Sequence, residues 1–230
     1  ISEHGGAPAE VLRFPAYGDG PFPDLSGRDG GFVTMVNVSP LKGVALFVQL
    51  ARRMRHVAFA AVPTWGTTDA ALDLLGAEPN VTLLEPSPDI EDILRRTRVL
   101  LAPSLWQEAF GLVVVEAMLR GIPVLAADVA GLREATLGVD CLLPVRPISR
   151  WRPQAGTLAR SCDIPDQDPG PWQRRLEELL TDSDEYGSLS ETSRRAAHRY
   201  VASLTLDPFE AYFAEVARRA DLGVERPPVG

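Results

Sequence analysis

The sequence predicts an α/β domain built on a doubly wound parallel sheet. Between residues 32 and 127, short apolar runs of strand length alternate with segments of helical length. Strands spaced by helices in this way form βαβ units, and successive units build a parallel sheet. The chain has 230 residues, of which 45% are hydrophobic and 23% are charged. A chain of this length and composition can bury a sizeable core.

The first predicted strand covers 32–38, an apolar and β-branched run that indicates burial on both faces. Pro40 and Gly43 follow it, and a helix is predicted over 44–51. The remaining strands of the sheet are predicted at 57–62, 80–84, 99–102 and 123–127, and the remaining helices of this series at 69–75, 90–97 and 112–120. Asp89 is placed to cap the helix over 90–97.

Ligands of such sheets bind at the carboxyl ends of the strands. The turns after Val38, Leu84 and Ala102 are therefore the places where a binding site is expected. We call the predicted architecture a Rossmann-like α/β domain.

The flanking segments have a different composition. Residues 1–31 are rich in Gly, Pro and Asp, which is typical of a linker or extended arm. Residues 144–171 interrupt the alternation and are predicted to form a long insertion. Helices are predicted after it at 171–180, 184–200 and 207–220. We assign 32–206 to the ligand-binding domain and 207–230 to a C-terminal helix and tail.

Aromatic residues are interpreted mainly as core. Phe47 lies in the predicted helix 44–51, and Phe59 lies in the predicted strand 57–62. The last helix carries an apolar stripe that is expected to pack against the sheet and its edge, formed by Phe209, Tyr212, Phe213 and Val216. Trp65 is expected either to line a crevice or to pack on the surface, and the sequence does not decide between the two.

Charge and composition exclude several classes of function. The formal net charge of -8 argues against nucleic acid as a partner, since phosphate backbones need clustered Lys and Arg. Two cysteines and three histidines do not suggest a metal site or a disulfide framework. No apolar run approaches the roughly 20 residues of a transmembrane helix, and no export signal opens the chain. A cytoplasmic protein is expected.

The stretch 103–117 is the most informative part of the sequence, because it follows a predicted strand and opens a predicted helix. Gly111 allows the backbone to approach a ligand, and the free amides at the start of the helix favour an anion such as a diphosphate. Glu108 precedes the helix and Glu116 lies within its first turns, so one carboxylate can face a sugar and the other a ribose. Taken alone, two glutamates around a helix are usually solvated charges.

The turn 37–43 is the second candidate, because it joins the first strand to the first helix. Lys42 is a point charge that can neutralise a phosphate in the same crevice. A single Lys at a helix start is most often a surface residue, so this feature alone does not decide the function.

Together these segments resemble the donor domain of glycosyltransferase family 4. The family's Glu-(seven residues)-Glu signature corresponds to Glu108 and Glu116, with Phe110-Gly111-Leu112-Val113 between them and Ala117 after them. Other matching segments are Pro103-Ser104, Gly121 to Asp128, Gly131 to Ala135, and Lys42-Gly43. The resemblance covers about residues 32–144 and implies the GT-B fold and a retaining hexosyl transfer from a nucleotide-sugar to a hydroxyl acceptor.

The resemblance also implies roles for single residues. Glu108 would contact the donor sugar near the reacting centre, and Lys42 would stabilise the leaving diphosphate. Glu116 would accept hydrogen bonds from the ribose. Backbone amides at Phe110, Gly111 and Leu112 would hold the sugar and diphosphate, and Leu84 with its neighbours would line the base pocket. No metal or other cofactor is expected, because the Lys and the helix N-terminus supply the charge stabilisation.

Two departures from the family pattern stand out. Asn37 occupies the place where the family often has a phosphate-clamping Arg, and Ala130 replaces the first Gly of a usual Gly-Gly pair. Asn37 can donate a hydrogen bond to the donor but carries no charge. Leaving-group stabilisation should therefore depend more heavily on Lys42.

The resemblance implies that an acceptor-binding domain precedes Ile1. If the protein contacts a membrane surface, that domain is expected to make the contact. The chain by itself is expected to bind a UDP- or GDP-type sugar donor without turnover. Two alternatives stay open: another GT-B enzyme such as a UDP-sugar epimerase, and a non-catalytic binding domain of the same fold. A dinucleotide dehydrogenase is disfavoured, since no Gly-x-Gly-x-x-Gly follows the first strand.

Overall fold

The protein contains a six-stranded sheet whose strands all run parallel. A computed structural model describes residues 10–27, 30–153 and 160–221. The strands are β1 (Phe32–Val36), β2 (Phe59–Val62), β3 (Val81–Leu83), β4 (Thr97–Ala102), β5 (Val124–Ala127) and β6 (Leu142–Leu143). Their order across the sheet is β3-β2-β1-β4-β5-β6. The chain therefore starts in the middle of the sheet and builds outward in both directions.

Helices connect the successive strands, and further helices come after the last strand of the sheet in the chain. They are α1 (Val44–Arg53), α2 (Asp69–Gly76), α3 (Glu91–Leu94), α4 (Leu112–Leu119), α5 (Leu132–Ala135), α6 (Gly170–Thr181), α7 (Ser183–Ala202) and α8 (Asp207–Asp221). A single 3-10 turn, Pro40–Lys42, lies between β1 and α1. This alternation confirms the predicted Rossmann-like α/β domain.

The core lies on the faces of the central strands. β2 and β5 are buried along their whole length, as expected of parallel strands covered by helices on both faces. Phe47 on α1 and Phe59 on β2 are fully buried and meet edge to face, with ring centroids 5.4 Å apart. The prediction that these two residues belong to the core is confirmed.

Several element boundaries differ from the prediction. β1 ends at Val36 because Asn37 adopts a left-handed backbone conformation, with φ of 63°. The helix predicted over 90–97 stops at Leu94 instead. The hydroxyl of Thr97 is buried and donates to the Ile93 carbonyl at 3.0 Å, and Thr97 already starts β4 beside Phe32. The short elements β6 and α5 were missing from the prediction.

Asp89 caps α3 as the sequence indicates. Its carboxylate accepts a hydrogen bond from the backbone amide of Glu91 at 2.9 Å. The bond satisfies one of the amide groups that a helix N-terminus leaves without an intrahelical partner.

Within 144–171, two short strands form an antiparallel hairpin, β7 (Trp151–Pro153) and β8 (Arg160–Cys162). Residues 154–159 lie outside the described part of the chain. The indole of Trp172, a fully buried side chain at the start of α6, donates to the carbonyl of Pro144 at 3.0 Å. This hydrogen bond joins the two ends of 144–171, so this segment forms a closed insertion on the domain.

The N-terminal arm is described only in part, because residues 1–9 and 28–29 fall outside the described ranges. Residues 10–27 contain neither helix nor strand. Leu25 is nevertheless buried, and its amide donates to the carbonyl of Arg120 at 2.8 Å. The end of the arm is therefore an ordered part of the domain surface.

The chain divides into two compact units, one comprising Pro21–His198 and the other Ile1–Gly20 with Arg199–Gly230. In the smaller unit, Phe14 and Phe209 meet edge to face at 5.5 Å. Three residues of the α8 stripe are exposed, namely Tyr212, Phe213 and Val216. The prediction that these three pack into the protein is wrong.

Within the described residues, no helix combines the length and apolar character needed to cross a bilayer.

Substituting Gly43 with Ala should strongly destabilise the fold. Gly43 has φ of 86°, and a Cβ there would lie 2.1 Å from the carbonyl oxygen of Pro103. Backbone strain together with this clash should lower the free energy of unfolding by about 3 kcal/mol or more. Urea unfolding followed by circular dichroism measures the change.

Gly187→Ala is the matched control. Gly187 lies within α7, and a Cβ there meets nothing within 4 Å. The substitution should raise stability by about 0.5–1 kcal/mol, as Ala does in a helix interior. Equal effects of the two substitutions would contradict the proposed contact between Gly43 and Pro103.

Candidate functional site

A cavity opens at the carboxyl ends of β1 and β4. It has a volume of about 520 Å³. Its walls come from the ends of these two strands, the turn after β1, the loop after β4, the first turn of α4 and one residue of α5. The lining residues are Met35, Val36, Asn37, Lys42, Leu101, Ala102, Pro103, Ser104, Glu108, Ala109, Phe110, Gly111, Leu112, Val113 and Leu132. The cavity thus occupies the switch point of the sheet, where α/β domains bind ligands.

The loops that follow β1 and β4 touch through their backbones. The absence of a side chain at Gly43 lets the chain pass close to the carbonyl of Pro103. Beside this contact, the amide of Leu105 donates to the carbonyl of Leu41 at 2.9 Å. These contacts hold the two loops together next to Pro103, which lines the cavity.

Lys42 and Glu108 form an ion pair across the cavity, although 66 positions separate them in sequence. The Lys42 ammonium donates to Oε1 of Glu108. Their side chains are 26% and 13% exposed, so the pair is shielded but open to an incoming ligand. Among the described residues that line the cavity, Lys42 is the only one with a cationic side chain.

The backbone of Glu108 is fixed from the opposite side by the loop before α5. The amide of Gly131 donates to the Glu108 carbonyl at 3.0 Å. A Cβ at position 131 would lie 2.5 Å from the carbonyl oxygen of Ala109, so only glycine fits this approach. Ala130, where the family often has glycine, adopts a left-handed conformation with φ of 34°.

The N-terminus of α4 faces the cavity. Gly111 precedes the helix, and no side chain forms a capping hydrogen bond to its first amides. The first turn also carries no acidic side chain. Free amides and the positive end of the helix dipole create a site suited to an anion. The predicted segment Phe110, Gly111 and Leu112 does line the cavity.

Two buried polar atoms in the cavity wall lack hydrogen-bond partners among the described residues. They are Oδ1 of Asn37 and Oγ of Ser104. A buried polar atom without a partner is costly, so each is expected to bond to a ligand or to water. The sequence analysis assigns Asn37 to the site but includes Ser104 only as part of a segment that matches the family.

Glu116 is half-buried on α4 and does not line the cavity. Burial raises the pKa of its carboxyl above the usual range, and the Arg120 guanidinium opposes this change. Arg120 itself is held by Glu91 at 2.5 Å and by the backbone carbonyl of Glu116 at 2.8 Å. The role of Glu116 toward a ribose stays a prediction.

The side chains of Leu84 and Trp65 both lie outside the cavity. Leu84 is 4% exposed and packs in a cluster with Ala60, Val62 and Ile93. Its side chain therefore points into the core, and the role of Leu84 and its neighbours at a base pocket stays a prediction. Trp65 is 95% exposed, so it neither lines the cavity nor packs on the surface.

A cavity at the switch point, a helix N-terminus without a side-chain cap and a Lys–Glu pair define a candidate ligand site on a doubly wound α/β domain. A sequence profile described as Glycosyl transferases group 1 matches residues 28–149, which is more than half of the chain. The chain belongs to this family of glycosyltransferases. The predicted GT-B type of Rossmann-like fold is also confirmed.

Curated relatives share the match over part of their length. The chain is 30% identical over 199 residues to a D-inositol 3-phosphate glycosyltransferase of Gordonia bronchialis, covering 78% of this chain and 39% of that protein. It is 43% identical over 102 residues to the protein of the same name from Nocardia farcinica, covering 41% and 22% respectively. The chain thus spans about two fifths of the first relative's length.

Among solved structures, Anabaena HepE in complex with UDP and glucose is similar with a TM-score of 0.61 and 22% identity. The similarity covers 80% of this chain and 49% of that one. At this level of identity, the similarity establishes the fold.

Replacing Glu116 with Gln should change the pH dependence of stability. A carboxyl whose pKa is raised by folding stabilises the protein below its unfolded pKa, and this contribution is lost as the pH rises through the folded pKa. Glu116→Gln should therefore become increasingly more stable than the wild type as the pH rises above about 4.3, the ordinary glutamate pKa. Urea unfolding across this range measures the difference, and a pH-independent difference would contradict the burial of the carboxylate.

Proposed function

We propose that this chain is the donor-binding domain of a retaining, family 4 glycosyltransferase with the GT-B architecture. Its ligand would be a nucleoside diphosphate sugar of the UDP or GDP type. The observation that carries the proposal is the Lys42–Glu108 pair beside the free N-terminus of α4. The family match and the fold similarity to a structure with bound UDP and glucose support it.

The proposed donor places its diphosphate at the start of α4. The amides near Gly111 and Leu112 would donate to the phosphate oxygens, and the helix dipole would stabilise their charge. The ammonium of Lys42 would exchange its bond to Glu108 for one to the phosphate. Glu108, freed from Lys42, would then accept hydrogen bonds from sugar hydroxyls.

In the transfer step, the bond between the anomeric carbon and the diphosphate oxygen breaks, and the acceptor oxygen bonds to that carbon. Negative charge develops on the leaving diphosphate oxygen as its bond to carbon breaks, and that oxygen would take the proton that the acceptor hydroxyl gives up. Lys42 and the α4 amides lie where they can stabilise this charge as it grows. With Asn37 in place of an arginine, Lys42 is the only cationic side chain among the described lining residues.

We further propose that charge stabilisation at this site needs no metal ion. One ammonium and a helix N-terminus can together stabilise a diphosphate leaving group. Excess EDTA should therefore leave nucleotide binding unchanged. A requirement for added Mg²⁺ or Mn²⁺ would contradict this part of the proposal.

Calorimetric titration with UDP, GDP and ADP should show saturable binding of one nucleotide. Lys42→Gln should weaken that binding by about tenfold or more, because it removes the cation that pairs with phosphate. Glu116→Ala should weaken it too, if the ribose hydroxyls donate to this carboxylate.

Arg55→Gln provides the matched control for charge. Arg55 is exposed and lies between α1 and β2, at the amino end of the strands and away from the cavity. Its substitution removes the same charge and should leave the dissociation constant unchanged. Binding that responds equally to both substitutions would indicate a nonspecific charge effect and contradict the site.

Sugar transfer should require the acceptor-binding domain that we propose completes the enzyme. The matched segment covers 39% of the first relative and 49% of the HepE chain, which leaves room for such a domain. This 230-residue chain, incubated with donor and candidate acceptors, should release no nucleoside diphosphate above background. Robust transfer by the chain alone would contradict the assignment of acceptor binding to a separate domain. Epimerisation of a UDP-sugar without acceptor would indicate a UDP-sugar epimerase instead.

A further inference from the structure

The loop that carries Glu108 contains neither helix nor strand. It occupies residues 103–111, between β4 and α4. Such a loop has no ladder of hydrogen bonds of its own, so its shape depends on contacts with other parts of the chain. The contacts of this loop therefore decide where the Glu108 carboxylate lies.

The parallel-sheet domain supplies two of these contacts. The amide of Leu105 donates to the carbonyl of Leu41 at 2.9 Å, and the carbonyl of Glu108 accepts from the amide of Gly131 at 3.0 Å. Within the loop, the amide of Glu108 donates to the carbonyl of Trp106 at 2.9 Å. The position of Glu108 is thus set directly by Gly131 on one side and through Trp106 on the other.

The insertion 144–171 adds contacts to the first half of the loop. The amide of Ile148, a buried residue, donates to the carbonyl of Leu105 at 2.7 Å. The ring of Trp151, at the start of β7, meets the ring of Trp106 edge to face, with centroids 6.2 Å apart. The insertion therefore holds this half of the loop through a hydrogen bond and a ring contact.

The insertion is itself held at its base. Oε1 of Gln167 accepts from the backbone amide of Arg146 at 2.8 Å, and Nε2 of Gln167 donates to the carbonyl of Arg146 at 3.0 Å. Together with the bond from the Trp172 indole to the carbonyl of Pro144, these bonds tie the outgoing chain of the insertion to the returning chain. An insertion anchored in this way can hold the loop that it touches.

We propose that the insertion is a positioning element for Glu108 and that Trp151 is its key contact residue. The inference rests on the proposed function, in which Lys42 leaves Glu108 for the diphosphate and Glu108 then accepts hydrogen bonds from the sugar. Once the ion pair is broken, the contacts of the loop keep the carboxylate beside the sugar. Trp151 does not line the cavity, so it acts through Trp106. The insertion should strengthen binding of the sugar part of the donor and leave binding of the nucleotide part unchanged.

Calorimetric titration of the 230-residue chain tests this role by comparing free nucleotides with nucleotide-sugars. The probes are UDP with UDP-glucose and UDP-N-acetylglucosamine, and GDP with GDP-mannose. Trp151→Ala should weaken binding of the preferred nucleotide-sugar by about fivefold, the factor that corresponds to loss of an edge-to-face aromatic pair. The affinity for the matching free nucleotide should not change, which also shows that the variant is folded. Trp151→Phe should restore most of the lost affinity, because its ring can keep the edge-to-face contact.

Arg152→Ala is the matched control within the same strand. Successive side chains of a strand point to opposite faces, so Arg152 does not share the face of Trp151. Its side chain is exposed and pairs with Asp163 on the returning chain. The substitution should leave the ratio of the nucleotide-sugar affinity to the nucleotide affinity as it is in the wild type.

A double-mutant cycle with Glu108→Gln tests whether Trp151 acts through Glu108. Trp151→Ala should have no further effect on the ratio of the two affinities once the carboxylate has been removed. An effect that persists in the Glu108→Gln background would mean that Trp151 favours the sugar by a route of its own, and it would contradict the positioning role.

The outcomes separate the positioning role from the proposed function. Equal weakening of nucleotide and nucleotide-sugar by Trp151→Ala, no weakening of either, or a Trp151→Phe variant that behaves like Trp151→Ala would overturn the positioning role alone. Binding of free nucleotides without binding of any nucleotide-sugar would overturn it too. If the wild-type chain binds none of the probes, the proposed function is refuted and the positioning role with it.

Discussion

The site depends on the backbone contact between the loops that follow β1 and β4. These strands are neighbours, and their connections leave the sheet in opposite directions, which opens a crevice between them. Two contacts hold the loops together beside that crevice: Gly43 passes close to the carbonyl of Pro103, and the carbonyl of Leu41 accepts from the amide of Leu105. Lys42 is adjacent to the first contact and Glu108 lies shortly after the second. Because the two loops cannot separate without losing both contacts, the backbones that carry Lys42 and Glu108 are held close together.

The balance of charge in the cavity follows from one substitution in the family pattern. Among the described residues, the buried amide oxygen of Asn37 has no hydrogen-bond partner, and Lys42 is the only cationic side chain that lines the cavity. A diphosphate at the start of α4 would compete with Glu108 for Lys42. Donor binding would thereby release a carboxylate beside the sugar, which links recognition of the phosphate to recognition of the sugar.

Where sequence reasoning failed, side-chain direction was the missing information. Leu84 follows a strand at the ligand edge of the sheet, as predicted. Its amide still bonds to the carbonyl of Ala61 at 2.9 Å, so the strand alternation continues and turns its side chain into the core. Ser104 and Gly131 were recognised as parts of family segments, but nothing local revealed that one lines the cavity and the other fixes Glu108. Phe213 lies on an apolar stripe whose periodicity predicts a helix face without identifying its neighbours.

Local patterns in the sequence determined the succession of strands and helices, the cap at Asp89, and the segment around Gly111 that opens α4. Each of these depends on residues within a few positions of one another, so periodicity and turn chemistry are sufficient. The pairing of Lys42 with Glu108, the fit of Gly131 against Ala109 and the meeting of Trp106 with Trp151 were decided only by the tertiary structure. These contacts join loops far apart in sequence, and their distances depend on the strand order and packing of the whole sheet.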